Sequence, residues 1–171
     1  MTAPEPALIL TLAMDGASFA HFDELRRRHF PPERNVVPAH ITLFHALPGD
    51  QRSLICRELD AICRSVPPMT LTVAGLRSLG RGTAFFLEAP RLRELRDHLA
   101  DEWRDWLTPQ DSQRYHPHVT IQNKVDPKEA KALLAELSAG FRPFEVRGEG
   151  LLLWRYLGGP WERLRSFRFT G

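Results

Sequence analysis

Short apolar runs and amphipathic stretches alternate along the whole chain, and this pattern predicts strands that alternate with helices. Runs of strand length, rich in aliphatic and β-branched residues and ended by turn residues, predict seven strands. These strands are 7–14, 38–47, 69–79, 83–89, 117–125, 144–156 and 161–169. Apolar residues that recur every three or four positions predict four helices, at 19–30, 50–64, 91–107 and 127–138.

The order strand, helix, His-containing strand, helix, strand occurs twice along the chain. The corresponding histidines, His40 and His118, are about 78 residues apart, a period too long for a stacked solenoid. No low-complexity stretch separates the two halves. We therefore predict one α+β domain over residues 1–171 with two pseudo-symmetric lobes, about 1–80 and 81–171. The expected fold is duplicated and bilobal, with two antiparallel-rich sheets around a central cleft and the helices outside.

Composition narrows the class of protein further. The chain has 171 residues, with 23 Lys+Arg against 21 Asp+Glu, so its net charge of +2 gives no sign of a strongly electrostatic partner. The apolar run 7–14 is too short for a membrane helix, and the residues before it lack the basic start of a secretory signal. Cys56 and Cys63 cannot form a disulfide framework and are expected as small core residues. These features predict a cytoplasmic protein with no membrane contact.

The most informative motif is His-x-Thr followed by an aliphatic residue, which begins at His40 and again at His118. Side chains two positions apart on a strand share a face, so each histidine is expected beside Thr42 or Thr120. The aliphatic neighbours then point into a core. If the two lobes are related by a pseudo-twofold axis, both His-Thr pairs face one central groove.

Two imidazoles across a groove supply a general base and a general acid at neutral pH. The two threonine hydroxyls can donate to phosphate oxygens whose charge grows in the transition state. This set suits phosphoryl transfer at a phosphodiester with no metal ion and no cofactor. A single strand histidine is more often a hydrogen-bonded structural residue, and threonine is an ordinary strand residue. The repetition of the pair in matching strands favours catalysis.

The stretches 38–45 and 115–121 resemble the two motifs of the two-histidine (2H) phosphoesterase superfamily, and within it the bacterial 2′-5′ RNA ligase and RNA 2′,3′-cyclic phosphodiesterase group. This resemblance implies a bilobal α+β fold and metal-independent opening of 2′,3′-cyclic phosphates. By the same analogy His40 is the general acid and His118 the base, although the near symmetry of the motifs allows the reverse. The basic residue often found after the second motif is represented only by Lys124, which alternation through Gln122 places on the His118 face.

Three further residues are candidates for substrate binding. Phe44 is expected on the face of His40 and Thr42, where it either stacks on a base or fills the groove floor. Tyr115 is expected at the rim of the groove. Arg34, in the loop that leads into the first motif, either contacts phosphate or is a solvated loop charge.

The resulting functional prediction is a monomeric, metal-independent phosphodiesterase. Its expected substrate is RNA or a nucleotide with a 2′,3′-cyclic phosphate, opened to a phosphomonoester, with reversible 2′-5′ RNA ligation as an additional activity. The alternatives are a non-catalytic module that holds a nucleotide or RNA end in the same cleft, and a metal-dependent phosphodiesterase. The sequence leaves open the base preference, the position of the product phosphate and whether RNA or a small nucleotide is the substrate.

Overall fold

The structure is a computed structural model that describes residues 3–171. Its four helices are α1 (Gly16–His29), α2 (Arg52–Cys63), α3 (Pro90–Glu102) and α4 (Pro127–Ala139). Its seven strands are β1 (Leu8–Met14), β2 (Thr42–Leu47), β3 (Met69–Ser78), β4 (Thr83–Glu88), β5 (His118–Gln122), β6 (Phe144–Tyr156) and β7 (Trp161–Arg168). All the predicted elements are present, with ends that differ by a few residues. The main difference near the motifs is that β2 begins at Thr42, so His40 lies in the loop before it.

The strands form one curled antiparallel sheet in the order β2-β1-β6-β3-β4-β5, with β7 also paired to β6. Strand β6 is 13 residues long, so it pairs first with β3 and further along with β7, while β1 follows its other edge. Two four-stranded arms, β2-β1-β6-β7 and β5-β4-β3-β6, therefore share β6. The predicted α+β class is confirmed, with the two expected sheets joined through this strand.

The helices cover one face of the sheet, and the hydrophobic core lies between the helices and that face. Alternate residues of β1, namely Leu8, Leu10 and Leu12, are buried in this core. Cys56 and Cys63 on α2 are both buried and unbridged, as predicted. The opposite face of the sheet lies away from the helices and carries the histidine motifs. Within residues 3–171, none of the helices has both the length and the apolar character needed to cross a bilayer.

Strand β2 is an edge of the sheet, and its outer backbone groups are satisfied by the segment that leads into β5. The buried carboxylate of Asp111 accepts hydrogen bonds from the backbone N–H groups of His45, at 2.8 Å, and Ala46, at 2.9 Å. Burial raises the pKa of Asp111, but the hydrogen bonds from His45 and Ala46 outweigh it, so the pKa lies below its ordinary value. Arg96 of α3 donates to the carbonyl of Leu43 at 3.2 Å and to the carbonyl of Asp111. These contacts hold β2 in place and satisfy its outer backbone groups, which no further strand pairs with in residues 3–171.

Strand β5 is the other edge, and the buried Arg26 of α1 holds it. The Arg26 guanidinium donates to the carbonyl of Thr120 at 2.9 Å, the carbonyl of Val37 at 3.1 Å and the side chain of Asn35 at 2.8 Å. Asp23, one turn earlier, accepts the backbone N–H of Ala39 at 3.0 Å. Helix α1 therefore ties the segment before β2 to β5, and through them the two motifs.

We expect Asp111→Asn to lower the free energy of unfolding by about 2–3 kcal/mol, because the amide leaves buried donors on β2 unpaired and removes a charged acceptor. Urea denaturation monitored by circular dichroism measures this change. Asp101→Asn is the matched control, since Asp101 is an exposed partner of Arg104 on the helix surface and such pairs contribute about 0–1 kcal/mol. Equal stability of the two variants would contradict the proposed fastening of β2.

Candidate functional site

The two motif histidines are held in the same way. The Nδ1 atom of His40 is 2.7 Å from the carbonyl oxygen of Pro38, and the Nδ1 atom of His118 is 2.9 Å from that of His116. In each case the acceptor is the carbonyl two residues earlier. A carbonyl can only accept, so Nδ1 carries a proton on both rings and Nε2 is the nitrogen that exchanges a proton with a ligand.

The backbone beside each histidine is hydrogen-bonded to a neighbouring strand. The N–H of Leu12 in β1 donates to the carbonyl of Ile41, and the N–H of Leu87 in β4 donates to that of Pro117. The distances are 2.9 and 3.0 Å. Each motif is thus attached to the neighbouring strand of its own arm, through the residue that follows His40 in the first motif and the residue that precedes His118 in the second.

The faces of the motifs agree with the period of a strand. Val119 and Ile121 are fully buried in the core, whereas His118 is exposed and Thr120 is half-buried on the other face. In the first motif, His40 and Thr42 are half-buried, while Ile41 and Leu43 are in the core. Each histidine therefore lies on the same side as its threonine. A positive charge on His118 is one of the causes that lower the pKa of His40.

His40 is the more enclosed of the two histidines. Its ring centroid is 4.6 Å from that of Trp161 at the start of β7, and it lines a cavity of about 240 Å³. Burial lowers the pKa of His40 to about 4, the Pro38 carbonyl opposes this, and the positive charges of Arg26 and His118 lower it further. His40 is therefore neutral at pH 7, with Nε2 as an acceptor.

Two tryptophans, Trp154 and Trp161, together with Arg163 form a wall beside His40, called here the aromatic wall. The two indole centroids are 5.8 Å apart, and the Arg163 guanidinium lies 5.5 Å over the ring of Trp154. Trp154 Nε1 donates to the hydroxyl of Thr11 at 2.9 Å, which fixes its orientation. Flat apolar rings with a neighbouring cation suit a planar heterocycle. No pattern in the sequence indicates this wall, because only the pairing of β6 with β7 brings Trp161 to His40.

Phe44 does not share the face of the motif residues, so that prediction is wrong. Thr42 pairs with Thr11, but Phe44 pairs with Leu10, and this irregular register turns Phe44 toward the core. Phe44 is fully buried, with its ring 5.2 Å from that of Trp103. No ligand in the groove can reach it.

Tyr115 is also buried rather than at the rim. It is 8% exposed, its hydroxyl is enclosed, and the Arg96 guanidinium lies 5.4 Å from its ring. Burial raises the pKa of Tyr115 above its ordinary value, although nearby Arg96 and Arg93 lower it in part. The segment before β5 packs this ring into the core, so the rim prediction for Tyr115 is wrong.

Regular alternation of side chains along β5 was expected to place Gln122 and Lys124 on the same face as His118. This alternation ends before Gln122. The β4–β5 register shifts at Thr83, and Gln122 is 2% exposed, with its amide oxygen 3.4 Å from the Thr83 hydroxyl. Lys124 follows in a turn with a positive φ of 61° and is exposed. The prediction that Gln122 lies on the His118 face is therefore wrong. Lys124, and Arg34 in the exposed 3₁₀ turn Pro32–Arg34, remain predictions as phosphate-binding residues.

The remaining polar residues near the motifs do not form a metal site. His45 points its Nδ1 at Asp111, at 3.0 Å, on the outer edge of β2. Across residues 3–171, no three His, Cys, Asp or Glu side chains lie close enough to hold a metal ion.

Comparison with known proteins agrees with this geometry. The family model of the 2′-5′ RNA ligase superfamily matches residues 15–160. Among solved structures, TT0787 of Thermus thermophilus superposes with a TM-score of 0.69 and 17% identity, over 96% of this chain and 98% of its own. E. coli LigT superposes in its apo form (TM-score 0.61, 20% identity) and in its complex with 3′-AMP (0.60, 18%), each over 99% of this chain and 100% of LigT.

The search of curated proteins gave no match. At these identities, the solved structures show a shared fold. The family match spans most of the chain and includes both motifs. The chain therefore belongs to the 2′-5′ RNA ligase superfamily, a branch of the 2H phosphoesterases.

Proposed function

We propose that this protein is a metal-independent phosphodiesterase that opens the 2′,3′-cyclic phosphate of an RNA end or nucleotide to a phosphomonoester. The observation that carries the proposal is the pair of imidazoles, each with Nδ1 held by a carbonyl and each beside a threonine on the same face. Membership of the superfamily supports phosphoester chemistry. E. coli LigT, which shares the fold, has been crystallised with ATP and with 3′-AMP. The same attack made by the 5′-hydroxyl of a second RNA end in place of water, with the P–O3′ bond of the cyclic phosphate breaking, gives 2′-5′ ligation.

The different surroundings of the two rings support a division of roles between them. His40 is neutral at pH 7, so its Nε2 accepts the proton of the attacking water. As the water oxygen forms its bond to phosphorus, the bond to the leaving ribose oxygen breaks, and His118 donates the Nε2 proton of its imidazolium to that oxygen. Thr42 and Thr120 donate hydrogen bonds to the non-bridging oxygens. This assignment reverses the one that the family resemblance implies.

The terminal nucleoside is placed by the aromatic wall beside His40. Its base stacks on the half-buried indole of Trp161, with exposed Arg163, which lies over the neighbouring buried Trp154, at the edge. The exposed cations Lys124 and Arg34 lie on the segments that follow and precede the motifs, and they attract the anionic substrate. A cytoplasmic location for this reaction remains part of the proposal.

His40→Ala and His118→Ala should each lower kcat by at least about 100-fold, because each removes one side of the proton transfer. The measurement is turnover of a nucleoside 2′,3′-cyclic phosphate in EDTA, with circular dichroism to establish that the variants fold. His98→Ala, an exposed histidine on α3, is the control and should retain wild-type turnover. Binding of the nucleotide without turnover by the wild type would support the non-catalytic module. Activity that appears only with added divalent ions would support the metal-dependent alternative.

A substrate with sulfur in place of the leaving ribose oxygen tests the two roles, because a thiolate departs without a proton. We expect His118→Ala to turn over the sulfur substrate at least about tenfold faster than the oxygen substrate. We expect His40→Ala to turn over the two substrates at the same low rate. Both the 2′- and 3′-sulfur isomers are assayed. Recovery in His40→Ala instead would restore the original assignment, with His40 as the acid.

The titration of His40 provides an independent test. NMR of the ring Cε1–H should give His40 a pKa of about 4, and kcat/KM should fall as the pH falls through that value because the base becomes protonated. Trp161→Ala opens the ring to water and should raise the pKa toward about 6.5. Leu157→Ala, an exposed site in the β6–β7 turn, should leave the titration unchanged. An ordinary histidine titration in the wild type would remove the basis for His40 as the base.

A further inference from the structure

The buried guanidinium of Arg26 contacts both of the segments that carry the motifs. On the first segment its Nε atom donates to the carbonyl of Val37 at 3.1 Å. The next residue, Pro38, supplies the carbonyl that holds Nδ1 of His40. On the second segment its Nη1 atom donates to the carbonyl of Thr120 at 2.9 Å. A displacement of Arg26 therefore shifts the support of an imidazole and the support of a threonine hydroxyl together.

Further contacts fix the plane of this guanidinium. Its Nε atom also donates to the side-chain oxygen of Asn35 at 2.8 Å, and the ring of Phe30 lies 4.0 Å below the guanidinium carbon. A guanidinium is planar, with N–H groups in fixed directions, whereas a lysine ammonium is a point charge on a flexible stem. Lysine at this position therefore keeps the charge but cannot reproduce the fork.

The charge of Arg26 is not cancelled by a carboxylate. Within residues 3–171, no Asp or Glu oxygen lies within 4.0 Å of its nitrogen atoms. Asp23, one turn earlier on α1, instead accepts the backbone N–H of Ala39 and lies 3.9 Å from Arg27. Burial lowers the pKa of Arg26 to about 10, although Asp23 raises it in part, so the guanidinium is charged at pH 7.

This charge acts on His40. Burial is the main cause of the low pKa of His40, and the positive charge of Arg26 adds to it. His118 on β5 and His45 on β2 add smaller effects of the same sign. Arg163 of β7 lines the same cavity as His40. Of these groups, Arg26 is the one whose hydrogen bonds also reach both motif segments.

We propose that Arg26 is a positioning residue of the two-histidine reaction, which aligns His40 and Thr120 across the groove through one rigid, charged fork. The inference rests on the proposed function and adds to it a buried group that acts through other residues. Alignment matters most in the transition state, where the proton moves and charge grows on the phosphate oxygens. Its loss therefore lowers kcat more than it changes KM. The charge makes a second, separable contribution, because it disfavours a proton on His40.

Two variants separate the fork from the charge. Arg26→Lys should lower kcat for a nucleoside 2′,3′-cyclic phosphate by at least about tenfold, with a change in KM of less than about threefold. Its His40 should still titrate with a pKa of about 4, measured by NMR of the ring Cε1–H. Arg26→Gln should lower kcat at least as far and also raise the pKa of His40. The fall of kcat/KM on the acid side then moves to higher pH, because His40 becomes protonated sooner as the pH is lowered.

Arg96→Lys is the matched control, because Arg96 is also buried and also donates to backbone carbonyls of a motif arm. Its charge is not among the causes of the low pKa of His40, so this variant should leave the His40 titration unchanged. Urea denaturation measures the stability that each variant loses. Asn35→Ala removes one acceptor of Arg26 and keeps the charge, so it should lower kcat with KM and the His40 titration unchanged. If Arg26→Gln does not fold, Arg26→Lys and Asn35→Ala decide the outcome.

The outcomes separate this inference from the function on which it depends. Wild-type kcat in folded Arg26→Lys overturns the positioning role and leaves the phosphodiesterase intact. A loss that appears in KM alone also overturns it. An unchanged His40 titration in folded Arg26→Gln overturns the contribution of the charge. Absence of turnover by the wild type overturns the proposed function, and the positioning role with it.

Discussion

Two buried arginines, Arg26 and Arg96, determine where the two motifs lie relative to each other. The motifs are on β2 and β5, the two edges of the sheet, so no backbone ladder connects them directly. Each guanidinium instead donates to backbone carbonyls of both edges or of the segments that lead into them. A buried guanidinium needs acceptors for its donors, so displacing one carbonyl leaves a buried N–H group unpaired at a cost of about 1–3 kcal/mol. The spacing of the motifs is therefore fixed by charge satisfaction rather than by strand pairing.

The repeated anchoring of the histidines contrasts with their different surroundings. Each Nδ1 is held by the carbonyl two residues earlier, which gives both rings the same tautomer. Only His40 is covered by an indole, that of Trp161. Burial disfavours the imidazolium of His40, whereas His118 remains open to solvent. Two imidazoles with the same tautomer thus differ in packing, and this difference is what gives them different electrostatic surroundings.

The helices and strands could be predicted from the sequence because the recurrence of apolar residues that marks each one lies within the element itself. Alternation places Val119 and Ile121 in the core and His118 on the opposite face, as the structure shows. The errors occur where the register changes. At Phe44 and Gln122 an irregular pairing rotates the side chain to the other face, and a shift of one residue is enough to do so. Such shifts depend on the neighbouring strand, so the residues of β2 or β5 alone cannot reveal them.

The same reasoning explains why the sequence did not identify the residues that would select a substrate. Trp161 meets His40, and Phe86 meets His118, only through pairings between distant strands. Pairings between strands also set an arginine over an aromatic ring at two places, Arg163 over Trp154 and Arg77 over Phe86. Carboxylate partners would neutralise these cations, whereas an aromatic partner holds the guanidinium in place and leaves its charge available.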